Sequence, residues 1–234
     1  MTLIVVFPAT DGIIIGSDTQ VTQGYTRYTD TKINKFSSNC LWAAAGPHTL
    51  IQPVENNIEN LQDDVQLDDL HTDISQLITE CMKGLLQLDL RSQWYQHDID
   101  ALLKLHDGEF IFAEYKDNKP HIVHFWNNGS FDIIENRPYA MGSGALFAFA
   151  LLSKYQNESL DSDMASVVVY DVLEEAISVG AYGIGLPIEV CKIDNNGITN
   201  LNTKLLAEFA NILRDREKSL VKNKIWNSVQ PSSL

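Results

Sequence analysis

Cysteine is scarce, with Cys40, Cys81 and Cys191 the only three in 234 residues. An odd, scattered set excludes a disulfide framework and a zinc cluster, and the chain is expected to be cytoplasmic, in a reducing compartment. Basic charge is also short. Seventeen Lys and Arg stand against 31 Asp and Glu, a net charge of −14. That sign repels phosphate backbones and anionic lipid heads, so neither nucleic acid nor membrane is an expected partner. Long hydrophobic runs are missing. Leu3 to Phe7 stops at Pro8, and the apolar stretch from Ala145 to Leu152 is too short to span a bilayer, so neither export nor anchoring is expected. A Gly-rich phosphate loop is lacking, so the chain is not expected to hydrolyse ATP itself. The six histidines lack metal-ligand spacing, and no metal or cofactor is expected. His121 and His124 are expected at a surface or strand edge, and Trp42 in the core.

With 44% hydrophobic and 21% charged residues, the composition is that of a globular chain that buries its own core. Leu3–Phe7 and Ile13–Gly16 flank the turn signal Thr10-Asp11-Gly12 and predict an opening hairpin. Lys35–Phe36 and Cys40–Ala44 predict a second strand pair, so that four strands precede any helix. From His48 to about Leu90, apolar residues at helical spacing, among them Leu67, Leu70, Ile74 and Ile78, predict one or two amphipathic helices. Ala101–Leu105 with Phe110–Tyr115, and His121–Trp126 with Phe131–Ile134, then predict two further hairpins. Helices are expected over Ala145–Tyr155, Ser162–Val179 and Leu205–Lys222, with a strand at Ile188–Ile193. The basic stretch Arg214–Lys224 is expected as the solvated face of the last helix. No repeat or linker divides residues 1–234, which predict one α+β domain with a helical extension from about residue 200.

Thr2 carries the first chemical signal. The initiator methionine is normally trimmed when a small residue follows it, which would leave Thr2 with a free α-amine beside its own hydroxyl. Such an amine, with a pKa of roughly 7.7 to 8, can accept the hydroxyl proton near neutral pH, so one residue would supply both nucleophile and base. Thr2 is followed by Asp11-Gly12, by Gly16-Ser17-Asp18-Thr19-Gln20-Val21-Thr22-Gln23-Gly24, by Thr31-Lys32-Ile33 and by Ala44-Ala45-Gly46. This series resembles the proteasome β-subunit family. The D-x-Q-x-T-x-G form of Asp18 to Gly24 is most similar to its simpler bacterial branch, the HslV-type peptidases. Spacing from Thr2 to Gly24 and from Lys32 to Gly46 matches the family, with a slightly shortened segment between, and Gly142-Ser143-Gly144 matches its G-S-G motif.

The resemblance implies a proteasome-like N-terminal-nucleophile (Ntn) hydrolase with a four-layer αββα sandwich and threonine peptidase activity on peptide or unfolded-protein substrates. It also implies assembly into a homo-oligomeric ring, with an ATPase as a candidate partner. Thr2 would be the nucleophile, and Lys32 the cation that lowers the amine's proton affinity and stabilises alkoxide. Asp18 would pair with Lys32, Gly46 would offer its N–H to the oxyanion, and Ser143 would be a supporting hydroxyl. Taken alone, Asp18 and Lys32 also read as an ion pair bracing a sheet, Gly46 as a turn glycine, and Ser143 as the cap of the helix near Ala145. His48 and small Ala44 are similar to residues lining a roomy substrate pocket. One departure stands out: where active members carry a D-x-x-S-G-G-like segment, this chain has Val179-Gly180-Ala181-Tyr182-Gly183-Ile184-Gly185. A non-catalytic ring or scaffold subunit and an Ntn amidase of small substrates are the alternatives.

Overall fold

The computed structural model describes residues 1–23, 26–58, 61, 67–91, 99–180 and 183–229. Gly24, Ala181 and Tyr182 of the motifs above lie outside the described residues. The protein is mixed α/β, and the described strands pair in antiparallel ladders.

The opening hairpin forms as expected, with β1 (Ile4–Ala9) paired to β2 (Gly12–Asp18). Strands β3 (Gln20–Gln23) and β4 (Thr26–Thr29) then form a two-stranded ribbon. They were not expected: they are polar, and β4 is exposed throughout, so no apolar alternation marks them. Among the described residues six strands, not four, precede the first helix, since β5 (Ile33–Lys35) and β6 (Cys40–Ala45) follow. Helices α1 (His48–Ile58) and α2 (Leu67–Arg91) lie in the amphipathic region.

Ala101–Leu105 is not a strand. It belongs to helix α3 (Ile99–Leu105), with Asp100 in the first turn and Lys104 in the last, a charge order that favours a helix. Its Ala and Leu residues are strong helix formers, and none of residues 101–105 is β-branched. Strands β7 (Glu109–Lys116), β8 (Lys119–Trp126) and β9 (Phe131–Ile133) complete the sheet β5-β6-β7-β8-β9. Strand β10 (Tyr139–Met141) crosses to the other sheet. Helix α4 (Ala145–Leu152) ends in a 3-10 turn at Ser153–Tyr155, and α5 (Ser162–Ser178) is capped by Asp161, whose side chain accepts from the Met164 N–H at 2.9 Å. Strands β11 (Ile188–Asp194) and β12 (Gly197–Asn200) complete the sheet β10-β1-β2-β11-β12, and α6 (Thr203–Val229) ends the described chain. The Arg214–Lys224 stretch is not wholly solvated, because Arg214 reaches α5 and pairs with Asp171 at 2.6 Å and with Glu174.

Side chains on opposite faces of each strand enter different cores. Leu3, Val5 and Phe7 pack with Val168 and Leu173 of α5 and Leu206 of α6. Ile4 and Val6 point the other way, meeting Ile13, Ile15, Leu41, Ala43 and Ile111 between the two large sheets. Trp42, Phe110, Phe112 and Phe125 join Leu50 of α1 and Ile74 and Ile78 of α2 in a third cluster. Both faces of β1, β2 and β6 are thus buried, which explains their continuous apolar runs. Among the described residues no helix is long and apolar enough to cross a membrane. The three cysteines are free thiols, two of them buried.

Phe112 sits at the centre of the third cluster, ringed by Phe36, Trp42 and Phe125 at centroid distances of 5.6, 6.1 and 5.6 Å. Phe112→Ala should cost about 3–5 kcal/mol of unfolding free energy by chemical denaturation, because it combines lost transfer energy with an aromatic-sized cavity.

Candidate active site

The start of β1 is where residues distant in sequence converge. Asp18, the last residue of β2, is fully buried. Its Oδ1 accepts from the Leu3 N–H at 2.9 Å and from the Lys32 ammonium at 2.8 Å, and its Oδ2 accepts from the Gly185 N–H at 3.1 Å. Three donors on one carboxylate compensate the loss of water that would otherwise make a buried charge prohibitive. Lys32, just before β5, is 9% exposed and donates also to the Met1 carbonyl at 3.3 Å. Burial holds the Lys32 pKa below its ordinary value, against the pull of Asp18. The cation is therefore fixed beside the first peptide of the chain.

Thr2 is buried and meets the turn after β10. Its N–H donates to Ser143 Oγ at 3.2 Å, the Ser143 hydroxyl donates back to the Thr2 carbonyl at 3.3 Å, and the Gly144 N–H reaches that carbonyl at 3.4 Å. Ser143 does not cap α4. Gly144 occupies the N-cap position and no side chain bonds there. Gly142, with φ +91°, lies so close that a Cβ would fall 2.3 Å from the Thr2 carbonyl oxygen.

Gly46 follows β6 with φ +147°, and a Cβ there would lie 2.7 Å from the Gly108 Cα. Backbone crowding and a dihedral that L side chains rarely adopt both demand glycine. Thr2 and Gly46 together line two clefts. One, of about 400 Å³, is bounded by Tyr28, Asp30, Lys32, Ala44, His48 and Glu55. The other, of about 440 Å³, is bounded by Lys104, Asp107, Glu109, Gly142 and Ser143. A third cleft, of about 460 Å³, lies among the turns near Asn39, Asp117 and Asn195 and includes none of these residues.

All five expected site residues, Thr2, Asp18, Lys32, Gly46 and Ser143, are thus brought together, and Ala44 and His48 line the first cleft. Three contributors went unforeseen. Gly185, in the loop after α5, supplies a backbone donor where an acidic side chain was looked for, and a backbone amide leaves no mark in sequence. Gln20 donates to the Gly183 carbonyl at 2.6 Å and braces the same loop. Glu109 accepts from the Gly142 N–H at 2.9 Å. His124 is not at a surface: it is 1% exposed and lies against Glu109, an arrangement that depends on sheet register. No family model matches the chain.

Asp18→Asn keeps the shape but turns an N–H₂ toward one of three donors and leaves Lys32 unpaired. It should cost roughly 3–5 kcal/mol, read as a lowered midpoint in urea with an unchanged slope. Gly46→Ala should lower stability by about 1–3 kcal/mol, since backbone rather than a flexible side chain must yield.

Proposed function

We propose that this protein is a threonine peptidase of the proteasome-like N-terminal-nucleophile kind, with Thr2 as nucleophile once Met1 is removed. The observation that carries this reading is the meeting of Thr2, Asp18, Lys32, Gly46 and Ser143 at one point, from segments as far as 141 residues apart in sequence. The three clusters, which place helices outside two facing sheets, support the four-layer αββα sandwich that such enzymes share.

In this mechanism the free α-amine of Thr2 takes the proton from its hydroxyl as Oγ1 attacks a substrate carbonyl. The Gly46 N–H receives the oxyanion, and the proton passes to the departing amine, leaving an ester on Thr2. The Thr2 α-amine, again neutral, then activates the water that hydrolyses the ester. An amine here titrates low: partial burial first, then the Lys32 ammonium, lowers the pKa of the Met1 α-amine, with Asp18 opposing. Once Met1 is removed, the Thr2 amine would be the group that Ser143 Oγ contacts at 3.2 Å. Clefts on both sides of Thr2 suit a polypeptide lying across it better than a small amide. The second reading is a non-catalytic ring subunit, favoured by the lack of a carboxylate in Val179–Gly185.

The proposal includes a homo-oligomeric ring in a reducing, cytoplasmic compartment, with an ATPase as a candidate partner. Leu146 of α4 and Phe209 and Ile212 of α6 are 76%, 48% and 50% exposed, an apolar display suited to a subunit contact. Light scattering at micromolar concentration should give the mass of an assembly; a monodisperse monomer would count against the ring.

Intact mass of the protein should show loss of Met1, and a peptide epoxyketone, which needs both hydroxyl and free amine, should label Thr2. Thr2→Ala should abolish labelling and peptide turnover without unfolding the protein, and Thr2→Ser should keep part of both. Lys32→Ala should reduce kcat by at least about 100-fold. Retained Met1 with peptidase activity undiminished in Thr2→Ala would defeat the mechanism.

A further inference from the structure

A partly buried polar chain, with His124 fully buried at its middle, runs behind the turn that holds Thr2. Glu109, the first residue of β7, spends both carboxylate oxygens. Oε1 accepts from the Gly142 N–H at 2.9 Å, and Oε2 lies 2.8 Å from His124 Nε2. The other ring nitrogen, Nδ1, lies 3.2 Å from the Tyr139 hydroxyl. An ionised carboxylate can only accept, so Nε2 carries the proton shared with Glu109, and in the neutral ring Nδ1 accepts from Tyr139. Burial opposes charge on Glu109, but the hydrogen bonds from His124 and Gly142 outweigh it and hold the carboxyl below its usual range. The chain Tyr139–His124–Glu109–Gly142 therefore ties β10, β8 and β7 to the backbone immediately before Ser143.

That backbone is under close constraint. Ser143 Oγ bonds the Thr2 N–H at 3.2 Å, and Gly142 packs so near the Thr2 carbonyl that no Cβ fits between them. A shift of the Gly142 peptide moves Ser143, and with it the Thr2 nitrogen. Among the described residues of the loop after α5, Asp18 receives the Gly185 backbone N–H, and the sequence Val179–Gly185 contains no carboxylate.

We propose that Glu109, oriented by His124 and Tyr139, is the positioning residue of the site, setting the Gly142-Ser143-Gly144 turn and through it the Thr2 amine. This rests on the reading of Thr2 as nucleophile. Glu109 also borders the cleft beside Thr2. A direct substrate contact is therefore the competing role, and it predicts a different pattern of losses.

The test compares full-length wild type with Glu109→Ala, Glu109→Gln and Tyr139→Phe, using two readouts. The first is amide hydrogen exchange, by mass spectrometry, of the peptide covering residues 142–144. The second is the saturation kinetics of Thr2 labelling by a peptide epoxyketone. In Glu109→Ala exchange should accelerate at least about 10-fold, because the Gly142 N–H loses its acceptor. The maximal labelling rate should fall about 10- to 100-fold with the half-saturating concentration nearly unchanged, as displaced reacting groups lose rate rather than binding. Glu109→Gln, whose amide oxygen can still accept from Gly142, should restore exchange protection and most of the rate. Tyr139→Phe removes a single hydroxyl at the far end and should shift both readouts in the same direction by a smaller factor, which decides the matter if Glu109→Ala does not fold. Unchanged exchange in Glu109→Ala, faster exchange with unaltered labelling, or a loss confined to half-saturation would each overturn the proposal. If wild-type Thr2 is not labelled, the peptidase reading fails by itself, while exchange at 142–144 still decides whether Glu109 sets the turn.

Discussion

The Asp18 carboxylate, wholly out of water at the end of β2, accepts from the amides of Leu3 and Gly185 and from the Lys32 ammonium. Each donor comes from a different part of the chain: the start of β1, the loop after α5 and the segment entering β5. A buried charge is tolerable only with such compensation, so these segments meet there or the charge is left stranded. The entry of β1 is pinned, Lys32 is held against the first peptide bond, and the loop after α5 is folded back over β2. The remaining features of the site are arranged around this anchor.

In the proposed mechanism, stability and chemistry would share the same atoms. As a brace, the Asp18–Lys32 pair secures the first hairpin to the rest of the fold; as electrostatics, it fixes a cation where an N-terminal amine would need one. Under the proposed function, the ion-pair reading and the site reading of these residues would be two consequences of one geometry. The proposed nucleophile lies between two restraints, the Asp18 bond to the Leu3 amide and the Ser143 bond to the Thr2 nitrogen. Opposing restraints from two directions define a position better than one strong contact does.

Much of the fold was legible because burial writes itself into period. Continuous apolar runs marked β1, β2 and β6, whose two faces enter separate cores, and helical spacing marked α1, α2 and α5. The ribbon β3–β4 and strands β10 and β12 left no such trace, because short, polar or edge strands are fixed by their partners rather than by their own side chains. Ala101–Leu105 misled for a related reason: a short apolar run beside Asp107-Gly108 fits a strand or a helix equally, and its lack of β-branched residues was the deciding cue. His124 misled because its alternation along β8 carries no information on what lies opposite.

The sequence by itself determined the local grammar of this protein: the opening hairpin, the main helices, a chain able to bury its own core, and the spacing of Thr2, Asp18, Lys32, Gly46 and Ser143. Residue types at set intervals suffice for that, since local conformation and chemical capability are properties of short segments. Only the tertiary structure decided that these five meet, that Gly185 gives Asp18 its third donor through a backbone amide, and that Glu109 and His124 stand behind the Gly142 turn. Those contacts depend on strand register and on backbone groups, which every residue carries alike and no sequence pattern distinguishes.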